Sequence, residues 1–212
     1  MRKYAWFSLL LALAILAGCS KYVKVTVPPR MDLIRYETLG IVEFSSNASA
    51  TVNAQATRQF QEHIQAAQPG TPFLDLGNRE ALLKTMDSRQ FDADTIKKIG
   101  ERYGVDAIFL GEINYSEPKT DIKISDIDKL EGGIRTEIRG DISSKMMETR
   151  SGASVWSSSA WATRQIGKLR VSAEDGVSGR MSDSNPREEM VPDMVWHLTH
   201  DFRPSTVRQK VK

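Results

Sequence analysis

The chain has 212 residues, with 29 Lys+Arg against 27 Asp+Glu, 40% hydrophobic and 8% aromatic side chains. That composition excludes a disordered, fibrous or multi-pass membrane protein. One Cys and three His exclude an internal disulfide and a Cys-based zinc cluster.

From the amino terminus, Arg2 and Lys3 form a positive region, and Ala5 to Ala17 an apolar run too short for the roughly 20 residues that span a bilayer. Small residues then precede Cys19, which is the layout of a secretory signal over residues 1–18. Leu16-Ala17-Gly18-Cys19 resembles the bacterial lipobox, which implies cleavage before Cys19 and attachment of a diacylglycerol and an N-acyl chain to it. Ser20 in the next position implies the outer membrane, facing the periplasm. The cleaved chain of 194 residues carries 27 basic and 27 acidic side chains. No basic stripe is left for nucleic acid, and overall balance argues against polybasic membrane docking. Membrane attachment is expected through the lipid, several acyl chains holding far better than one.

Residues 19–38 read as a lipidated tether, since Pro28-Pro29 enforces extended backbone. A single domain is expected over 39–203, followed by a basic, frayed tail at 204–212. Leu39 to Phe44 is a short apolar run between turn residues, suited to a buried strand. Val52, Ala56, Phe60 and Ile64 then recur every four residues along a helix that Pro69-Gly70 ends. Phe73 to Leu76 suits a second strand, and Asn78 caps a short helix over Arg79–Thr85. Asp92 or Asp94 caps the next helix, with Ile96, Ile99 and Tyr103 on one face and Gly104 at its left-handed end. Val105 to Ile113 is the other strongly apolar strand, completing a β-α-β-α-α-β half.

Glu131-Gly132-Gly133 reads as a turn. Beyond it Ile134, Thr136, Ile138, Gly140, Ile142, Ser144 and Met146 alternate with Arg135, Glu137, Arg139, Asp141, Ser143 and Lys145, a strand with one core face and one wet face. Ser151-Gly152 turns the chain into an antiparallel partner from Ala153 to Gln165, and 172–185 reads as a loop. Asn185, Pro186 and Glu188 open a last helix with Met190, Met194, Leu198 and Phe202 inward, and Pro192 predicts a kink or restart. The fold class is therefore mixed α/β, with this hairpin and a C-terminal helix following the first half and helices packed on a central mixed sheet.

The candidate chemical constellations are weak. His197 and His200 share a helix face, the one candidate metal pair, but lack a third ligand. Asp121, Asp126, Asp128 and Glu131 lack calcium-loop spacing and suit a solvated hairpin edge. Ser157-Ser158-Ser159 has neither a nucleophile elbow nor a base at recognisable spacing. The glycines at 132, 133, 176 and 179 form no phosphate loop and read as turns. No catalytic or metal site is expected. Tyr115, Trp156 and Trp161 are the candidate interface aromatics. Trp156 and Trp161 lie an odd number apart, so one faces the core and the other faces out.

Pro29-Arg30-Met31-Asp32-Leu33, the stretch Tyr36 to Phe44, Ile99 to Glu112, and Thr149 to Trp156 resemble the curli-secretion (CsgG-like) lipoproteins and their relatives. Those relatives include lipoprotein activators of cell-wall synthases and the amino-terminal domain of the Tol-Pal β-propeller protein. The resemblance runs over residues 29–202 and implies a compact periplasmic domain without catalysis. It departs at Ile134 to Met146, whose apolar side contains Gly140 and Ser144 and lacks the aromatic girdles of a lipid-facing strand. The resulting expectation is a lipid-anchored, non-enzymatic module without cofactors that binds another periplasmic or outer-membrane protein. The alternative is a homo-oligomeric, ring-forming subunit of a secretion or assembly complex.

Overall fold

A computed structural model describes residues 22–126, 131–172, 176–181 and 185–210. They fall into two units, one made by the chain ends up to Pro29 and from Pro204, the other by Arg30–Arg203.

The smaller unit is an antiparallel ribbon. β1 (Tyr22–Val27), within the expected tether, pairs residue for residue with β10 (Ser205–Lys210), within the tail expected to fray.

The larger unit is a mixed α/β body. Its strands are β2 (Leu39–Ile41), β3 (Ser45–Ser46), β4 (Phe73–Asp75), β5 (Ala107–Tyr115), β6 (Lys119–Asp126), β7 (Glu131–Glu148), β8 (Ser154–Ser172) and β9 (Gly176–Met181). They form one sheet in the order β4-β2-β5-β7-β8-β9, with β3 added beside β5 and β6 beside β7. β2 runs parallel to both β4 and β5, whereas β5, β7, β8 and β9 pair antiparallel. The parallel part needs helical crossovers, and α1 (Ala50–Ala67), α2 (Arg79–Thr85) and α3 (Ala93–Tyr103) supply them.

Helix ends follow their caps. Ser49, Asn78 and Asp92 accept the first free N–H groups of α1, α2 and α3, and Gly104 ends α3 at φ 66°, a backbone that costs glycine nothing. Helix α4 (Pro186–Leu198) starts at Asn185 and continues through Pro192, where the sequence predicts a kink or restart. Proline there removes the N–H that would bond the Glu188 carbonyl. Gln55 Nε2 donates to that carbonyl instead, at 3.4 Å, so α1 satisfies the group that proline leaves free.

The sheet separates two cores. On one face α1 and α4 cover Leu39, Ile41, Phe109, Ile113, Ile138, Ile142 and Met146. On the other, α2 and α3 cover Val42, Ile108, Leu110 and Met147. The larger core centres on Phe60, whose ring lies 5.2 Å from Phe44 and Phe109 and 6.4 Å from Trp156 and Phe202. Burying each such aromatic removes roughly 150–250 Å² from water. Phe44 lies over Gly111, where a Cβ would come within 2.3 Å of its ring.

Several sequence expectations change. Residues 30–38, read as tether, belong to the body, with Met31, Leu33 and Tyr36 buried. Gln68 stitches them down by accepting from Leu33 N and donating to Met31 O. Gly132 and Gly133 are strand residues paired with Val171 and Arg170, not a turn. Gly176 and Gly179, read as loop, pair with Ser172 and Leu169 in β9. Long hairpin partners supplied backbone bonds to segments whose side-chain pattern alone suggested loops. No helix among the described residues is long and apolar enough to cross a membrane.

Candidate interaction surface

Beyond the cover of α2 and α3, the outward face of β5, β7 and β8 is open. Alternation is strict: Ile138, Gly140, Ile142, Ser144 and Met146 are buried, while Arg139, Asp141, Ser143 and Lys145 between them are exposed. On β8, Ser157, Ser159, Trp161 and Thr163 share the exposed side. Across the strands Asp141 stands opposite Trp161, Ser143 opposite Ser159, and Lys145 opposite Ser157.

At the centre of this face Trp161 is 59% exposed, yet its ring is held. The Arg139 guanidinium sits 4.9 Å from the ring centroid. Arg139 is fixed in turn by Asp141, with Nε 3.0–3.1 Å from both carboxylate oxygens and Nη2 2.6 Å from Oδ1. These hydrogen bonds hold the Asp141 carboxyl below its ordinary range and raise Arg139 above its own. Such an exposed pair adds little stability, but it orients a cation over an aromatic face. Beside it runs a groove of about 540 Å³ lined by Arg79, Glu112, Lys145 and Ser157–Ser159. The triple-serine stretch is thus one wall of a shallow polar trough.

The other aromatic candidates are core residues. Trp156 is buried, and its Nε1–H donates to Asp201 Oδ2 at 3.2 Å. Tyr115 is buried and donates to the Arg187 carbonyl at 2.9 Å, and burial pushes its phenol up to about 12. The structure therefore resolves which tryptophan faces out, and it removes Tyr115 and Trp156 from any exposed surface.

His197 is exposed on α4, and His200 lies in the 3-10 turn after it, 3.7 Å from Asp201 Oδ1. Among the described residues no group of three or more His, Cys, Asp or Glu is placed to hold a metal ion. Asp121 is exposed on β6, while Asp128 lies outside the described residues. So do Leu16, Ala17, Gly18 and Cys19.

The sequence reading missed a second exposed indole, Trp196, at 54%. Arg203 lies 3.4 Å above its ring and His63 meets it edge-on at 5.7 Å. Its i+2 offset from the buried Met194 on α4 was the available signal. For Trp161, the signal was two opposite charges two residues apart on the wet face, within diagonal reach of an aromatic.

No protein-family model and no curated protein matches this chain. Solved structures are similar to it in part. A PelC dodecamer from Paraburkholderia phytofirmans is 10% identical with a TM-score of 0.42, the match covering 86% of this chain and 98% of that one. Lipoprotein GNA1162 from Neisseria meningitidis is 14% identical with a TM-score of 0.35, covering 60% of this chain and 83% of that one. The LpoB C-terminal domain from Salmonella enterica is 10% identical with a TM-score of 0.36, covering 64% and 84%.

Proposed function

We propose that this chain is a non-catalytic module of the cell envelope, anchored through acylated Cys19 at the periplasmic side of the outer membrane, that binds another envelope protein through the open sheet face at Trp161. The observation that carries this reading is the state of that indole. It is exposed, yet already fixed by Arg139 and Asp141 on a sheet backed by a packed core. A side chain ordered in advance loses little conformational freedom on binding, and a large desolvatable ring is the usual centre of a protein interface. The lipobox residues support the location, because the same Cys19 that directs cleavage also carries the anchor.

The test places a photoreactive residue at position 159 or 163, beside Trp161 on the exposed side of β8, in the acylated protein in its own envelope, with position 150 as the control. One discrete adduct at 159 or 163 and none at 150 supports the reading, and equal labelling at all positions defeats it. The anchor is tested separately. Cys19→Ser moves the protein to a soluble or inner-membrane precursor pool, and continued fractionation with the outer membrane refutes that part.

One observation favours a ring-forming subunit as the second reading. Among the described residues β6, β9 and β4 each present an outer edge without a strand partner, and free edges are templates for another chain. Light scattering on detergent-extracted, acylated protein separates the two: a large discrete oligomer supports the ring, and a monomer supports the tethered module.

A further inference from the structure

Charge is balanced over the cleaved chain but segregated between its two units. The segments Cys19–Pro29 and Pro204–Lys212 hold Lys21, Lys24, Arg208, Lys210 and Lys212 and no acidic residue, which leaves the body between Arg30 and Arg203 with 22 basic against 27 acidic side chains. The positive unit is the β1–β10 ribbon. Residues directly opposite in an antiparallel pair point to the same side, so its register sorts the side chains. One face carries Tyr22, Lys24 and Thr26 with Lys210, Arg208 and Thr206. The other carries Val23, Val25 and Val27 with Gln209, Val207 and Ser205.

All four valines and Tyr22 are exposed, Tyr22 at 61% and Val23 at 50%. A two-stranded ribbon with an open apolar face is marginal in water. Cys19 lies three residues before Tyr22, a reach of about 10 Å at full extension. The ribbon therefore begins beside the acylated cysteine.

We propose that the β1–β10 ribbon is a second membrane-docking element, lying on an anionic phospholipid surface with its valine face toward the acyl boundary. This rests on the lipid-anchor reading for its setting, not for its binding energy. The headgroup layer is roughly 6 Å deep on each side of the hydrocarbon. With the valines at its inner boundary, Lys24, Arg208 and Lys210 on the opposite face reach the phosphate level, where Tyr22 also finds its favoured interfacial position. Apolar burial plus cation attraction is the logic of interfacial amphipathic segments. The same surface repels the acidic body, so the attraction is confined to the ribbon.

The experiment uses the full cleaved chain with Cys19→Ser, so no acyl group contributes, and measures flotation with vesicles at low salt. Binding to phosphatidylglycerol:phosphatidylethanolamine (1:1) is expected, with about 100-fold weaker binding to phosphatidylcholine. Combining Lys24→Gln, Arg208→Gln and Lys210→Gln lowers binding to the anionic vesicles by about 100-fold, from roughly fivefold per cation near a charged surface. Val25→Ser with Val207→Ser weakens it by at least about tenfold through lost apolar burial, without changing the salt dependence. Tryptophan fluorescence confirms that each variant keeps its folded body. Indifference to lipid charge, or full binding by the triple Gln variant, overturns the proposal. So does a soluble dimer that disperses in the valine variant and ignores vesicles, because a second copy then covers that face. The mass of the detergent-extracted protein, with or without a diacylglycerol and an N-acyl chain on Cys19, tests the anchor alone, so failure of either idea is seen separately.

Discussion

Trp156 and Trp161 lie on the same strand, five residues apart, and face opposite sides of it. Trp156 packs 4.7 Å from Phe202 and 6.0 Å from Phe109, with its N–H spent on Asp201. Trp161 is 59% exposed, with the Arg139 guanidinium against its ring. The residue type is the same; the difference comes from what each face is covered by. On one side α1 and α4 close over the sheet, and on the other α2 and α3 stop short of β8. A large apolar ring on the uncovered side contributes little to folding and is available for binding. On the covered side the same ring is structural.

The comparison breaks most visibly when each tryptophan is truncated. Trp156→Ala is expected to cost about 3–5 kcal/mol, combining lost burial with a cavity among neighbouring aromatic rings. It also leaves Asp201 without one of its hydrogen bonds. Denaturant titration of the unacylated chain reads this directly. Gly111→Ala comes next, at about 1–3 kcal/mol, because a methyl group there collides with the Phe44 ring on the same covered face. Phe44→Leu in the same chain relieves part of that cost if the collision is the cause. Trp161→Ala is expected to change stability by less than about 1 kcal/mol while abolishing the adduct seen at neighbouring photoreactive positions. A large stability loss there would show that the outer face is packed in a way the register does not imply.

Much of this was legible because periodicity maps directly onto sheet faces. The alternation from Ile134 to Met146 and the odd offset between the tryptophans are enough to set a core side and a wet side. The caps at Asn78 and Asn185 and the glycine at 104 are local chemistry and were equally readable, while the choice between Asp92 and Asp94 was settled by the structure in favour of Asp92. What escaped depended on distant partners. The alternation of Val23, Val25 and Val27 suits a strand, but nothing near Tyr22 or Ser205 announces that strands about 180 residues apart will pair. Gly132, Gly133, Gly176 and Gly179 looked like turns because glycine usually punctuates. Here the long β7–β8 hairpin overrode that preference by offering backbone partners. The helix through Pro192 escaped for the same reason, its free carbonyl being met from α1. The Arg139–Asp141–Trp161 cluster needed both strand register and rotamers.

The smallest effect tests how dry the covered side is at its edge. His63 on α1 meets Trp196 edge-on, and its Nδ1 lies 3.5 Å from the Thr199 hydroxyl. Burial, aided by the nearby Arg203 charge and opposed by Glu62, lowers its pKa below the ordinary 6.5. The folded chain therefore holds fewer protons than the unfolded chain between that lowered value and 6.5. Stability is complete above about pH 6.5 and declines as the pH falls toward the folded pKa. His63→Gln removes this slope, so melting temperatures of the variant and the parent converge or cross on acidification from about pH 7.5. Asp141 supplies the contrast. Its carboxyl is lowered by Arg139 in open solvent, so the stability it contributes is present above pH 3.8 and is lost only as the pH falls through its folded value. A parent chain whose stability is flat between about pH 7.5 and 5 would mean that His63 is as wet as Asp141, and that the α1–α4 seam opens where Trp196 and Arg203 now close it.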